Sequence, residues 1–341
     1  MDVSNPRVGI IGYGLAGRVF HAPILKGAGF EIVGIVSKNP DRIAQATADH
    51  PDSQVVPTVD ELLKLEPDLV VVASVNQAHY ENAVSAIDAG IPVVVDKPVG
   101  RDLSETVKLI EYAAAKGVPL TAYYSRRWDS EALTTARVIK QGSIGKVHRI
   151  ESRFDRWRPE LRPGAWREKS DSKAGGGLLL DLQTHLVSQA LVWGGPAEVV
   201  YANVRRVRGG ADDDVTIALR HANGIESFLV VSAISGYVGP RIRVFGDKGA
   251  LVIDGLDPQE ELLLAGNVPT AGRWQQPIET PARIVRGDQD EEIKPEAGDY
   301  PAFYRACAAA LRGEGEWPIS TDEILAVATI IEQAKDFGRV K

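Results

Sequence analysis

The stretch VGIIGYGLAG, from Val8 to Gly17, decides the fold of the N-terminal half of the chain. A short apolar run typical of a buried strand opens it, and three glycines follow directly in the spacing Gly12-x-Gly14-x-x-Gly17. The first glycine permits a tight turn, the second lets the backbone approach a pyrophosphate, and the third lets a helix pack closely on the strand. The positive end of that helix then faces the phosphates. The cofactor contacts predicted from this stretch are Gly12, Gly14, Leu15, Ala16 and Gly17.

Short apolar runs alternate with amphipathic helical segments up to about residue 122. Continuous apolar runs are typical of parallel strands that are buried on both faces, and the alternation indicates a doubly wound sheet. We therefore predict an α/β Rossmann domain over residues 1–122. Its predicted strands are Val8–Ile11, Glu31–Val36, Leu69–Ala73, Pro92–Val95 and Pro119–Ala122.

The remaining residues, 123–341, are predicted to form an α+β domain with a large, mainly antiparallel open sheet. Extended runs joined by short turns indicate this sheet, as at residues 222–224 and 246–249. Residues 268–295 are the least regular stretch. The chain is predicted to end in a helix from Thr321, its expected N-cap, to Phe337, and this helix is a candidate to pack back on the Rossmann domain.

The composition excludes several classes of protein. A formal net charge of -7 opposes binding to nucleic acid, and the single cysteine, Cys307, allows neither an internal disulfide nor a cysteine-based metal cage. No stretch approaches the roughly 20 apolar residues of a membrane span, and the N-terminus lacks a signal core. We therefore expect a cytoplasmic protein that binds neither membranes nor metals.

The end of the second predicted strand bears on the choice of cofactor. An acidic residue about 20 positions after the glycines would bind the ribose 2′-hydroxyl of NAD. Here the chain instead carries Ser37, Lys38 and Arg42, which can bind a 2′-phosphate. The alternative is that these cations only solvate a helix start, with Asn39 as its cap and Pro40 as its first residue. We predict NADP as the cofactor, with NAD as the alternative.

Two further segments carry residues suited to proton and alkoxide chemistry. Lys97, in Asp96-Lys97-Pro98, follows a predicted strand at the end where ligands of open α/β sheets bind. Asp181 and His185 lie four residues apart and share one face of a predicted helix, where the histidine can accept a proton from an alcohol. The alternative for Lys97 is a surface lysine paired with Asp96. The alternatives for Asp181 and His185 are a helix pair that faces water and, more weakly because no third ligand recurs nearby, a metal site.

The chain resembles the Gfo/Idh/MocA family of oxidoreductases in three motifs that follow one another in the family's order. They are the glycine turn, the Asp96-Lys97-Pro98 segment, and the pair Asp181 and His185. The resemblance implies that Lys97 is the lysine of the family's Glu-Lys-Pro motif, that Asp181 binds substrate and that His185 transfers a proton. It also implies that the segment after the strand 69–73, with Ser74, Asn76 and His79, lies beside the cofactor. The open face of the C-terminal sheet commonly makes dimers or tetramers in this family, so we expect a homodimer or homotetramer.

Four further segments, 17–23, 126–129, 154–159 and 166–168, look like the branch that contains NADP-dependent scyllo-inositol dehydrogenases. The resemblance implies a small polyhydroxylated substrate, because arginine forks donate to hydroxyls and tryptophan faces cover a sugar ring. Equally, such clusters form structural stacks. The predicted substrate contacts are Arg127, Trp128, Asp155, Arg156, Trp166, Arg167, Asp181 and His185.

The expected reaction is hydride transfer between a secondary alcohol of a cyclic polyol or sugar and the nicotinamide of NADP. Lys97, Asp181 and His185 are its expected catalytic residues. A non-catalytic dinucleotide-binding regulator and a cofactor-dependent glycosidase of the same superfamily are the alternatives. The chain departs from the family at Asp96, where glutamate is usual, and at Ser188, where an aspartate often follows the histidine.

Overall fold

The computed structural model describes residues 5–161, 176–269, 274 and 280–339. The chain forms two compact units. The first comprises residues 1–124, 258–276 and 299–324, and the second comprises residues 125–257, 277–298 and 325–341. The predicted boundary between residues 122 and 123 stays a prediction. Among the described residues, no helix is both long and apolar enough to cross a membrane.

The first unit contains a six-stranded parallel sheet with the strand order β3-β2-β1-β4-β5-β6. This is the order of a dinucleotide-binding Rossmann fold, in which ligands bind where the order reverses, between β1 and β4. Residues 70–72 and 93–95 are fully buried valines, as strands covered on both faces require. The strands are β1 (Arg7–Ile11), β2 (Glu31–Val36), β3 (Gln54–Val56), β4 (Leu69–Val72), β5 (Val93–Asp96) and β6 (Leu120–Tyr123).

Helices connect these strands. A π-helical segment, Ala16–His21, follows the glycine turn and continues into α1 (Ala22–Gly27). The other helices of this unit are α2 (Pro40–Asp49), α3 (Val59–Leu63), α4 (His79–Asp88), α5 (Leu103–Lys116), α8 (Gln259–Leu264) and α9 (Pro301–Leu311). Helix α8 contacts the π-helical segment, and α9 contacts α1, so both belong to the Rossmann unit although they lie far along the chain.

The second unit is built on an eight-stranded sheet with the order β14-β13-β12-β11-β7-β10-β9-β8. All neighbouring strands pair antiparallel except β7 and β10. The strands are β7 (Val147–Asp155), β8 (Ala197–Arg205), β9 (Asp214–His221), β10 (Glu226–Ser232), β11 (Ile242–Gly246), β12 (Gly249–Ile253), β13 (Ala282–Arg286) and β14 (Gln289–Ile293). The predicted fold class, α/β followed by α+β with a mainly antiparallel sheet, is confirmed.

Helices α6 (Ser130–Gln141) and α7 (Thr184–Gly194) pack against one another in the second unit. Their apolar sides join residues of β7, β11, β12 and β13 in one buried core that includes Val138, Trp193 and Ile242. A π-helical turn, Leu179–Gln183, leads into α7. The last helix, α10 (Thr321–Arg339), begins in the first unit and continues in the second.

Some elements differ from the sequence expectation. Strand β3 was not predicted because it has only three residues before Pro57. The hairpin of β13 and β14 falls in the stretch expected to be least regular, because the edge strand β14, QDEEI, carries almost no apolar residue. The N-cap of α10 is Ser320 and not Thr321, since the Ser320 hydroxyl accepts from the Glu323 amide at 3.2 Å while the Glu323 carboxylate accepts from the Ser320 amide at 2.9 Å.

Candidate functional site

The glycine turn after β1 is held by close backbone approaches. Gly12 has a φ of 98°, and a Cβ there would lie 2.8 Å from the carbonyl oxygen of Ala73, the residue directly after β4. A Cβ on Gly17 would overlap the carbonyl oxygen of Gly12. At Gly14 a Cβ would meet only the Arg42 guanidinium, at 3.7 Å, which is an ordinary contact. The fold itself therefore requires the first and third glycines, whereas the chain leaves room at the second.

A cavity of about 510 Å³ opens beside this turn in the first unit. Its size lies in the usual range of small-molecule and cofactor sites. Of the predicted cofactor residues, Gly12, Ser37, Lys38, Arg42 and Ser74 line it. The lining residues that the sequence analysis did not name as cofactor contacts are Ile11, Tyr13, Val36, Asn39, Pro57, Thr58, Val59, Val75 and Asn82. The other predicted contacts, Gly14, Leu15, Ala16, Gly17, Asn76, His79 and Lys97, are not among the lining residues.

The end of β2 presents basic side chains to the cavity. Asn39 caps α2, because its side-chain oxygen accepts from the Arg42 amide at 3.0 Å, and Pro40 is the first helical residue. The guanidinium of Arg42 lies beside Gly14 of the glycine turn. The helix-start interpretation is thus correct for the backbone, yet both Lys38 and Arg42 line the cavity. Among the described residues, no carboxylate lines it. This basic lining fits the anionic phosphates of a dinucleotide.

Tyr13, between the first two glycines, anchors the turn to the end of α2. Its hydroxyl donates to an Asp49 oxygen at 3.0 Å, and the Arg18 Nε donates to the same oxygen at 2.7 Å. The hydrogen bond from Arg18 holds the pKa of Asp49 below its usual value, against the opposing effect of burial. The His50 ring meets the Tyr13 ring edge to face, with centroids 5.7 Å apart. Nothing in the local sequence pattern links Tyr13 to Asp49, so sequence reasoning missed this anchor.

Lys97 follows β5 in a turn whose aspartate is already engaged. An Asp96 oxygen accepts from the Lys97 amide at 2.8 Å and lies 3.9 Å from the Nε2 of His21. His21 is fully buried, and its Nδ1 lies 2.5 Å from the Tyr304 hydroxyl. Burial alone would raise the pKa of Asp96, but His21 and the charges of Lys97 and His79 bring it below the usual value. Asp96 is therefore an ionised group built into the Rossmann unit.

His79, the first residue of α4, joins this turn to the turn after β4. The ring is 1% exposed, with Nδ1 2.9 Å from the Pro98 oxygen and Nε2 3.1 Å from the Ser74 oxygen. The Asn82 side chain donates to the Ser74 hydroxyl at 3.0 Å on the same side. Asn76 is buried in the short 3₁₀ turn between Ser74 and His79.

In the second unit, a carboxylate from a distant part of the chain accepts a hydrogen bond at the start of the helix that carries Asp181 and His185. Asp212 accepts from the Leu179 amide at 2.7 Å, and burial raises its pKa although this hydrogen bond opposes the rise. Gly177 has a φ of 89°, and a Cβ there would collide with the Asp212 carboxylate. Gly177 thus makes room for a carboxylate that the chain itself supplies.

Asp181 lies in the π-helical turn, and His185 lies in the first turn of α7 with 5% of its surface exposed. The apolar side of this helix is buried, with Leu182, Leu186, Ala190 and Trp193. On the polar side, His185, Ser188 and Gln189 are buried, and Asp181 is partly buried. Ser188 accepts from the Arg127 Nε at 2.7 Å, and Gln189 donates to the Arg126 backbone oxygen at 2.6 Å.

One of the predicted substrate arginines, Arg156, packs against an aromatic ring. Three guanidinium groups, those of Arg126, Arg156 and Arg241, lie 4.6 to 4.8 Å from the centre of the Phe154 ring. Asp155 lies 3.6 Å from the Arg153 guanidinium, and burial raises its pKa. Trp128 ends the short 3₁₀ turn Ser125–Trp128. Trp166 and Arg167 lie outside the described residues. A structural stack, the alternative to substrate contact, is thus present at Arg156.

Two family models match the chain. An oxidoreductase family with an NAD-binding Rossmann fold matches residues 6–124, and the GFO/IDH/MocA C-terminal domain matches residues 132–252. Lys97 lies in the first of these segments, and Asp181 and His185 lie in the second.

Relatives cover nearly the whole chain. The uncharacterized oxidoreductase YdgJ of Escherichia coli is 34% identical over 96% of this chain and 95% of its own length. The scyllo-inositol 2-dehydrogenase (NADP(+)) IolW of Bacillus subtilis is 32% identical over 99% of this chain and 95% of its own. The solved structure of yvaA from Bacillus subtilis superposes with a TM-score of 0.90 at 31% identity, covering 100% of this chain and 98% of that one. The chain belongs to the GFO/IDH/MocA family of NAD(P)-binding Rossmann oxidoreductases.

Proposed function

We propose that the protein is an NADP-dependent dehydrogenase or reductase that acts on a secondary alcohol of a cyclic polyol or sugar. The observation that carries the cofactor assignment is the cavity at the end of β2, where Ser37, Lys38 and Arg42 stand in place of an acidic residue. Cations and a hydroxyl suit a 2′-phosphate, whereas NAD recognition uses a carboxylate. The relative IolW, a scyllo-inositol 2-dehydrogenase (NADP(+)) at 32% identity, supports both NADP and an inositol-like substrate for this chain.

In the proposed reaction, three side chains act on the hydroxyl group of the substrate. His185 accepts the hydroxyl proton, Lys97 donates a hydrogen bond that stabilises the developing alkoxide, and Asp181 orients the hydroxyl. The hydride leaves the carbon that carries this hydroxyl, so the alcohol becomes a ketone and the hydroxyl proton passes to His185. When bound, the nicotinamide serves as the hydride acceptor. The remaining proposed substrate contacts are Arg127, Trp128, Asp155, Arg156, Trp166 and Arg167.

Kinetics with the two cofactors test the NADP assignment. We expect kcat/KM to be higher for NADP than for NAD, and Lys38→Ala and Arg42→Ala to reduce this preference at least tenfold with little effect on NAD. Lys108→Ala removes an exposed lysine of α5 and serves as the control. A wild-type preference for NAD would overturn the assignment.

A screen of NADPH and NADP absorbance over inositol isomers, aldoses and their keto forms tests the reaction. Lys97→Ala and His185→Ala should lower turnover by about 10²–10⁴ while NADPH still binds, as expected for groups that act on the proton and the alkoxide. His148→Ala, at an exposed histidine of β7, is the control. Sugar release without net cofactor change would indicate the glycosidase instead, and binding without any turnover would indicate the regulator.

We also propose that copies of the chain associate through the eight-stranded sheet. Phe228 and Tyr201 remain 37% and 43% exposed, and in register they flank Ala218, so the three residues form an apolar row across β10, β9 and β8. Light scattering should report a dimer or tetramer, and Phe228→Glu should shift it toward the monomer. A monomeric wild-type protein at micromolar concentration would contradict the proposal.

A further inference from the structure

The two ring nitrogens of His79 both face backbone carbonyl oxygens. Nδ1 lies 2.9 Å from the Pro98 oxygen, and Nε2 lies 3.1 Å from the Ser74 oxygen. A carbonyl oxygen only accepts hydrogen bonds, whereas a neutral imidazole carries one N–H and one bare nitrogen. A neutral ring would therefore bond one carbonyl and direct a lone pair at the other. Only a ring with a proton on each nitrogen donates to both.

The surroundings of the ring compensate a positive charge. His79 begins α4, and the partial positive charge of a helix start opposes a cation there. The Asp96 carboxylate offsets this, because it interacts electrostatically with His79 as well as with His21 and Lys97. Hydrogen bonds from an ionised donor are also stronger than neutral ones. Asp96 stays ionised in the fold, since its pKa lies below the usual value.

We propose that His79 is a positioning residue that carries a proton on both ring nitrogens and clamps the turn after β4 to the Asp96-Lys97-Pro98 turn. One side of the clamp, Ser74, lines the cofactor cavity. The other side, Pro98, directly follows Lys97. The clamp therefore fixes the lysine relative to the wall of the cavity within the first unit. This role rests on the proposed function of Lys97, and it replaces direct cofactor contact as the task of His79.

Nitrogen-15 spectra of the histidine rings in the cofactor-free protein test the charge state directly. Both nitrogens of His79 should resonate as protonated in the folded protein. His221 is a matched control in the same spectrum, because it too is buried and bonded on both sides, at 2.8 Å to the Gly195 oxygen and 2.7 Å to the Ser227 hydroxyl. That hydroxyl can donate, so a neutral ring suffices, and burial lowers the pKa of His221. A bare nitrogen in His79 would overturn the proposal.

Two substitutions test the clamp. His79→Gln can donate from only one atom, and His79→Ala from none, so we expect kcat to fall at least tenfold in the first and further in the second. The Kd for NADPH should change less than threefold, since the ring does not line the cavity. His221→Gln is the control for loss of a buried histidine. A large loss of NADPH affinity with unchanged kcat would instead identify His79 as a direct cofactor ligand.

The two proposals fail in distinguishable ways. If Lys97→Ala leaves turnover intact, the assigned role of the lysine is wrong, yet the nitrogen spectrum of the cofactor-free wild type still decides the state of His79. If the spectrum shows a neutral ring while Lys97→Ala is inactive, the clamp is wrong and the proposed reaction stands. Because the spectrum needs no variant, failure of His79→Ala to fold leaves this test in place.

Discussion

Two glycine turns precede helices in this molecule, and glycine serves a different purpose in each. At the first turn, Gly12 and Gly17 press against backbone, and the space beside them is a cavity lined by Lys38 and Arg42. At the second turn, Gly177 makes room for the carboxylate of Asp212, which the chain supplies itself. A helix start attracts an anion in both cases. Glycine spacing alone does not reveal whether that anion is a ligand or a side chain.

The strongest way to break this comparison is to add one methyl group to each turn. In Gly17→Ala the methyl would overlap the Gly12 oxygen, so we expect the free energy of unfolding to fall by roughly 3 kcal/mol and NADPH affinity to be lost. Gly177→Ala should cost stability as well, through its positive φ and the Asp212 carboxylate, but it should lower kcat and spare NADPH affinity. Urea unfolding and NADPH fluorescence titration measure both.

Gly14→Ala is the matched control within the first turn. Its methyl would make only an ordinary contact with Arg42, so the protein should remain folded while NADPH binds more weakly, because the pyrophosphate approaches there. Equal losses of NADPH affinity in Gly17→Ala and Gly177→Ala would show that the two turns do not differ in the way described.

The supports of the two turns should also respond to pH in opposite directions. Burial lowers the pKa of His50, behind the first turn, to about 4. Near pH 6.5 the His50 ring of the unfolded chain therefore takes up a proton that the folded chain does not bind. The free energy of unfolding falls between pH 6.5 and 4, by about 2 kcal/mol after a discount for solvent screening. The pKa of Asp212 is raised, so its contribution is present at low pH and is lost as pH rises through the folded value.

Urea unfolding from pH 4 to pH 8 measures both slopes. His50→Gln should flatten the acid limb of the profile, and Asp212→Asn should remove the opposite contribution while the asparagine oxygen still accepts from Leu179. An acid limb that is unchanged in His50→Gln would refute the assignment to His50.

The sequence predicted the first turn better than the second for a physical reason. The contacts of Gly12 and Gly17 depend on a strand and a helix that are adjacent in the chain, so a spacing rule captures them. Asp212 lies more than thirty residues from Leu179, and only the packed structure brings the two together. For the same reason the sequence did not reveal the Tyr13 anchor on Asp49 or the stacking of Arg126 and Arg241 on Phe154.

The elements were predicted in proportion to their burial. The five apolar strands of the Rossmann sheet appear within a residue or two of their expected bounds, because strands covered on both faces must be continuously apolar. Strand β14 was not predicted, since its exposed edge position lets it carry charged residues. Which predicted arginines reach a substrate cannot be read from their sequence, because a guanidinium serves a packed ring and a hydroxyl equally well.

Asp212→Ala sharpens the comparison with a smaller effect. Loss of an N-cap oxygen costs about 1 kcal/mol. Part of the cost of Gly177→Ala should disappear in the double variant, because the carboxylate with which its methyl collides is gone. A double-mutant cycle of unfolding free energies measures this coupling. Strict additivity would mean that Gly177 is required only for its backbone conformation.

Tyr13→Phe should give the smallest effect, and it isolates the anchor of the first turn. The Asp49 carboxylate keeps its bond to Arg18, so removing the tyrosine hydroxyl should cost about 0.5–1 kcal/mol and raise the KM for NADPH about two- to fivefold. Tyr112→Phe is the matched control: it removes a 2.6 Å bond to Asp88, which is likewise paired with a cation, Lys116. That second triad lies on α5 and α4, where it does not line the cavity. If both variants raise the KM equally, the Tyr13 bond has no special role in the cofactor turn; if only Tyr13→Phe does, the hydroxyl acts by holding the glycines in place.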